Sequence, residues 1–347
     1  MRGKILTLIA LMATGFILTL IILNNTNIIN LSPTNSEGSC NSLIYNEEGK
    51  TDIVFFGQKE EVETYTNYFL ETSPYNRNKD EFNFYYINDY EPNCKMYKDI
   101  AIVCNSRDLV SYASKCPNDY IVVLKDEERR IRSSSQSNVL SINTAHPLSV
   151  LIHEFGHSFA NLAEEYAPAK LKSNQQNCAE SCDTFLDSNE CFKGCSDSSH
   201  YRSIENGVMK TLKSNEYGAY NEMLIESQIS EKTKSILTGF ATIEKTDCKD
   251  QEYYLIELNI EESEIINKKL ETGCVGKNKN IEFEYDKKDN TNLRVKLINH
   301  DKIYTDIEGE KDLSGEIFDE EITTIIKVPV LENIETIEIE GLSTISL

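Results

Sequence analysis

Residues 153–166 read HEFGHSFANLAEEY, and no other part of the chain restricts the fold as much. His153 and His157 are four apart, so on a helix they lie one turn from each other and turn both rings toward a single point. The flanking sequence favours that helix. In HPLSVLIHEFGHSFANL, Pro147 suits a first turn, and Leu148, Leu151, Ile152, Phe155 and Phe159 form one apolar stripe. The chain must therefore bury this helix by one face while keeping two imidazoles and Glu154 together on another. With five histidines in 347 residues, chance yields this pattern in roughly one such chain in a hundred, so a metal site is the stronger explanation. Zinc is the expected ion. It lowers the pKa of a water to about 7, which lets a carboxylate beside it, here Glu154, draw off a proton and later give it to a leaving amine.

A third ligand is not at the position a third histidine would take, because Ala163 stands there. Glu164 is eleven positions after His153 and returns to nearly the same helix face. On a continuous helix, however, it would lie ~10 Å beyond His157, out of reach of a shared ion. The chain must bend after the second histidine, and Asn161 is the residue best able to take the left-handed conformation of a helix end. Such a turn brings either Glu164 or Glu165 back toward the ion. His146, separated from the helix by Pro147, is expected at the surface.

Around this segment the chain reads as a layered protein. TDIVFFG, FNFYYIND, DIAIVC, DYIVVLKD and NVLSINTAH have the β-branched and aromatic content of strands, and helical stretches such as EEVETYTNYFLET and RDLVSYASK alternate with them. The expected fold is an α/β domain over residues 49–240, with a mixed sheet and the active-site helix. The last of these strands, NVLSINTAH, offers an edge to which an extended peptide could add. From about Thr246 the pattern changes to alternating strands separated by polar turns, YYLIELNI, IEFEYD, LRVKLIN, ITTIIKVPV and IETIEIEG, so residues 246–347 are expected to form an all-β, sandwich-like domain.

The N-terminus carries a mainly apolar run of nineteen residues without charge or proline, Ile5 to Leu23, after MRGK. That run is longer than the ~7–15 residues of a signal-peptide core and nearly spans a bilayer, so residues 1–23 are expected to be an uncleaved anchor rather than a cleaved signal peptide. Arg2 and Lys4 keep the N-terminus inside, and the remainder lies outside. Cleavage would instead release a secreted protein. Residues 24–48, rich in Asn, Ser and Thr, read as a tether. In that compartment the ten cysteines should pair as disulfides. CAESC and CFKGC each space two cysteines four apart, and two short antiparallel helices would pair Cys178 with Cys195 and Cys182 with Cys191. A four-cysteine zinc site is the alternative. Cys248 and Cys274 could bridge the first strands of the C-terminal region. The net charge of −22 excludes a phosphate-binding stripe, and hence a nucleic-acid partner.

HEFGHSFANLAEEY resembles the signature of the bacterial immunoglobulin-A-type metallopeptidase family, which resembles HEFGHS-F-x-G-LADEY. The zincin domain of the chloride-channel-regulator proteins ends its motif similarly, in Asp-Glu-Tyr. TDIVFFG resembles that family's first strand and YRSIENGVMKTL its later Tyr-Arg…Asn-x-x-Met segment, so the likeness covers roughly residues 52 to 225. It implies a zincin-like domain in which Glu164 is the third metal ligand, Glu165 and Tyr166 are orienting neighbours, and Met209 forms a Met-turn beneath the histidines. An ordinary core methionine is the alternative for Met209. Tyr201, Tyr217 and Tyr220 lie near it in the chain, and any of them could polarise a substrate carbonyl or simply pack. Two positions depart from the family pattern: its Gly is Asn161 here, and its Asp is Glu164, one methylene longer.

These features together imply a membrane-anchored, extracytoplasmic zinc metallopeptidase acting on peptide or protein substrates. The alternatives are a surface adhesion or glycan-binding protein that keeps the fold without turnover, and a zinc amidase acting on cell-wall peptides. An intact Glu154 favours a hydrolase.

Overall fold

The computed structural model describes residues 40–171, 174–188, 191–235, 248–259, 264–276, 281–285, 292–297, 303–305, 323–331, 334–339 and 343–346. The architecture is mixed α/β, with several sheets and four α-helices among the described residues. In chain order the first strands are β1 (Asn41–Ile44), β2 (Thr51–Phe56), β3 (Phe82–Ile87), β4 (Lys95–Tyr97), β5 (Ala101–Val103), β6 (Tyr120–Lys125), β7 (Ser134–Gln136) and β8 (Val139–Asn143). The helices are α1 (Lys59–Glu71), α2 (Arg107–Ala113), α3 (Ser149–Ala160) and α4 (Ala219–Ser235). A hairpin of β9 (Phe192–Cys195) and β10 (Asp197–Arg202) follows α3. The later strands are β11 (Glu252–Asn259), β12 (Glu264–Thr272), β13 (Ile281–Tyr285), β14 (Asn292–Leu297), β15 (Ile303–Thr305), β16 (Thr323–Pro329), β17 (Thr336–Ile339) and β18 (Ser343–Ser346).

The main sheet runs β1-β3-β2-β6-β8-β7-β15. Strands β3, β2, β6 and β8 are parallel, and β1 and β7 join antiparallel. Central parallel strands are buried on both faces, which is why TDIVFF and YIVVLK read as near-continuous apolar runs. The two faces feed different cores. Ile53, Phe55, Tyr120 and Val122 meet α1, α3 and α4 on one side, whereas Val54, Phe56, Ile121 and Val123 meet α2 on the other. Phe155 of α3 lies edge-on to Phe69 of α1 at 5.1 Å and stacks on Phe159 at 4.9 Å. Truncating such a buried ring costs ~3–5 kcal/mol, so this aromatic cluster is what fixes α3 on the sheet.

Two readings of the sequence change here. NVLSINTAH is not a sheet edge: β8 is flanked by β6 and by β7, whose polar SSQ sequence carries no alternation to announce it. The tether read over 24–48 ends early, since Asn41–Ile44 pairs with β3 and Cys40 is bridged to Cys116. The expected anchor, residues 1–23, lies outside the described residues, and among the described residues no helix is long and apolar enough to cross a membrane.

After residue 246 the structure is all strand apart from one short 3-10 turn, among the described residues. A three-stranded sheet, β12-β11-β16, and a four-stranded sheet, β13-β14-β17-β18, share one apolar cluster built from Ile256, Leu258, Ile326 and Val328 on one side and Leu293, Val295, Ile337 and Ile339 on the other. Tyr253, Leu255 and Ile325 turn the opposite way and join the α2 core of the main sheet, so Gly38–Leu347 forms a single unit.

All ten cysteines are paired: Cys40–Cys116, Cys94–Cys104, Cys178–Cys195, Cys182–Cys191 and Cys248–Cys274. The pairing within CAESC and CFKGC matches the expected one, but the two antiparallel helices do not form. Cys182–Ser188 is a 3-10 turn, and CFKGC supplies β9, which carries Gly194 at φ +88° and is followed by Ser196 at φ +58°. Positive φ at these positions is incompatible with a right-handed helix.

Candidate metal centre

Helix α3 ends at Asn161, which adopts φ 51° and ψ 39°, the left-handed conformation its position requires. The chain then doubles back. His153 Nε2 and His157 Nε2 stand 3.2 Å apart, Glu164 Oε2 lies 3.4 Å from the first and Glu164 Oε1 3.2 Å from the second. All three side chains are buried, and they are the group among the described residues whose ligand atoms converge closely enough to hold an ion. Tetrahedral zinc with bonds of 2.0–2.2 Å sets its donors ~3.3 Å from one another. The two Nε2 atoms stand at that separation, and each faces its own oxygen of the Glu164 carboxylate at about the same distance.

The hydrogen bonds of the rings sharpen the fit. His153 Nδ1 lies 2.8 Å from the Val208 carbonyl and His157 Nδ1 2.6 Å from the Leu162 carbonyl. A carbonyl only accepts, so both Nδ1 atoms carry the hydrogen and both Nε2 atoms present lone pairs. Two imidazole lone pairs and a carboxylate then face one another at van der Waals distance in a buried place. That arrangement is repulsive unless a cation or protons lie between them. Burial alone pushes the Glu164 carboxyl up, but positive charge at His157 and His153 outweighs it and draws the group down to about 2, so an ionised Glu164 here needs a cation or protons among these groups. The donor set fits a metal ion whose identity the geometry does not name.

No protein-family model matches the chain, and no curated protein is significantly similar to it. The meaning of the centre rests on its own geometry.

Met209 is fully buried with its sulfur against Gly156, the glycine between the two histidines. A Cβ on Gly156 would sit 2.8 Å from Met209 Sδ and 3.1 Å from Tyr217 Cε1, so only glycine lets this segment approach the helix. The same turn supplies the Val208 carbonyl to His153 and the Met209 carbonyl to the Glu165 amide at 2.9 Å. Glu154 is fully buried beside His153 on α3. Glu165 is buried too, but it points away from the cluster, accepting from Asn221 Nδ2 at 2.7 Å and Asn177 Nδ2 at 3.3 Å. Burial pushes its carboxyl up to about 7 against the pull of those amides.

The tyrosines separate. Tyr217 donates its hydroxyl to the Ile152 carbonyl and lies 3.0 Å from the Tyr75 hydroxyl, inside the core behind α3. Its hydroxyl serves the helix, not a substrate carbonyl. Tyr201 pairs its backbone with Ala179, and Tyr220 sets its ring edge-on to Phe185 at 4.8 Å. Tyr166 is half-buried. His146 holds the Arg129 carbonyl at 3.0 Å at the surface, apart from the cluster. Sequence reasoning did not find Val208, Leu162, Asn177 or Asn221. The first two act through backbone oxygens, which leave no residue signature, and the two asparagines act across long sequence separations.

Proposed function

We propose that this chain is a zinc-dependent peptidase with a zincin-like domain, acting outside the cytoplasm on peptide or protein substrates. The observation that carries this is the buried convergence of two imidazole nitrogens 3.2 Å apart with the two oxygens of one carboxylate, each 3.2–3.4 Å from its own ring, with Glu154 on the same helix turn. His153, His157 and Glu164 would hold the ion. When bound, zinc supplies Lewis acidity, polarising a carbonyl and making water acidic near neutral pH. Glu154 accepts the proton of the attacking water and returns it to the departing amine. The Val208 and Leu162 carbonyls keep both rings in the tautomer that leaves Nε2 able to ligate. Five disulfides with no free cysteine support placement in an oxidising compartment. The likeness of HEFGHSFANLAEEY to immunoglobulin-A-type metallopeptidases supports the same reaction class.

The test is incubation of the purified ectodomain with a peptide library. Cleavage that a chelator abolishes, zinc restores and Glu154→Gln lacks would support the proposal. Zinc-independent cleavage, or equal cleavage by wild type and Glu154→Gln, would refute it.

A further inference from the structure

Asn161 turns the chain back, but a single left-handed residue does not fix Glu164 to within a few tenths of an ångström. The segment that carries Glu164 is held on its far side by the disulfide-bridged loop. Asn177, itself fully buried, accepts from the Ala163 amide through Oδ1 at 2.6 Å and donates through Nδ2 to the Ala163 carbonyl at 3.0 Å. Its Nδ2 also lies 3.3 Å from Glu165 Oε1. The Ala163 amide demands an acceptor, which fixes the orientation of this side-chain amide. Ser196, fully buried, donates its hydroxyl to the carbonyl of Glu164 itself at 2.7 Å.

Asn177 and Ser196 flank the loop closed by Cys178–Cys195, one immediately before it and one immediately after. Of the bridge sulfurs, Cys178 Sγ lies 3.7 Å from the Glu164 carbonyl, and Cys195 Sγ lies 3.6 Å from the carbonyl of Asn177 itself. Buried backbone groups need partners. Ala163 finds both of its own in one side chain, and Glu164 finds its carbonyl's partner across the bridge.

We infer that Asn177 and Ser196 are positioning residues for the metal centre, clamping the Ala163–Glu164 backbone so that the Glu164 carboxylate meets the two histidines. This rests on His153, His157 and Glu164 being the metal ligands. Residues that orient ligands typically change metal affinity by 10–100-fold when removed. Cobalt(II) titration of the full-length protein, read by visible absorption and by competition with a chelator, tests it. Wild type should bind one cobalt with the intense spectrum of a four-coordinate ion. Asn177→Ala should bind roughly 10–100-fold more weakly, with the weaker spectrum of an ion that has exchanged a protein ligand for water. The same substitution in a Glu164→Ala background should add nothing, because the effect travels through Glu164. A purely structural asparagine would weaken both backgrounds alike and leave the spectrum unchanged. Should Asn177→Ala not fold, Ser196→Ala, which removes one hydrogen bond to Glu164, is measured in the same way. Wild type that takes up no cobalt would refute the metal centre. Wild type that binds, with both variants matching it in affinity and spectrum, would refute the clamp alone.

Discussion

Tyr217→Phe distinguishes a tyrosine that supports the metal-binding helix from one that acts on substrate. Tyr217 and Tyr75 are completely buried, and burial holds both phenols far above their ordinary range, so each hydroxyl is a donor at any working pH. Tyr217 gives its hydrogen to the Ile152 carbonyl, so Tyr75 must give its own to Tyr217. Removing the Tyr217 hydroxyl deletes one hydrogen bond, worth ~1 kcal/mol net, and orphans the Tyr75 donor in a dry core at a further ~1–3 kcal/mol. The expected loss is about 2–4 kcal/mol. Tyr75→Phe leaves Tyr217 still bonded to Ile152 and should cost only ~0.5–1.5 kcal/mol. The double variant leaves no orphan, so it should fall short of the sum of the singles by about 1–3 kcal/mol, the cost of that orphan. Urea unfolding with the disulfides intact measures all three. Activity per folded molecule should stay within about threefold for Tyr217→Phe, because losing a transition-state donor would cost ~10²–10³-fold. Unchanged stability together with a hundredfold loss of activity would overturn this placement.

Glu164→Ala should weaken zinc binding by far more than Glu165→Ala, which should retain the ion with lower stability; equilibrium dialysis over a range of zinc concentrations, with metal analysis, shows which glutamate matters. Gly156→Ala gains ~1 kcal/mol of helix propensity but forces a methyl 2.8 Å from Met209 Sδ. Overpacking of ~1–3 kcal/mol should outweigh the gain, and Met209→Ala in the same chain should restore part of the thermal midpoint. Burial lowers Lys327 to about 7 despite its bonds to Asn118 Oδ1 and the Cys274 carbonyl. Between pH 7 and ~10 the unfolded chain then binds more protons than the folded one, so stability should rise with pH by up to ~1.4 kcal/mol per unit. Lys327→Met should flatten that slope in urea titrations across the window.

The parts of this structure that sequence reveals are those that repeat or collide. TDIVFF and YIVVLK announce themselves because central parallel strands bury both faces, and the histidine pair does so because a helix returns every fourth residue to one side. The bend at Asn161 was forced by distance alone. Near one another in the chain, Cys178, Cys182, Cys191 and Cys195 revealed their pairing, although Gly194 and Ser196 at positive φ exclude the helices expected to carry it. Strand β7 stayed hidden because three polar residues carry no alternation. Strand β12 did so because it sits at a sheet edge with Ile266 and Leu270 exposed among lysines and glutamates. Least legible were the groups that orient the ligands. A Val208 or Leu162 carbonyl is the same atom at every residue, and only the fold brings Asn177 against Ala163.

In the proposed centre, His153, His157 and Glu164 bind one zinc ion. Zinc K-edge absorption of the zinc-loaded protein tests it directly. One zinc per chain is expected, with two imidazole nitrogens at ~2.0–2.1 Å and carboxylate oxygen at ~2.0–2.2 Å, and loss of that oxygen in Glu164→Ala. A sulfur shell at ~2.3 Å, or no stoichiometric zinc in the folded wild type, would contradict it.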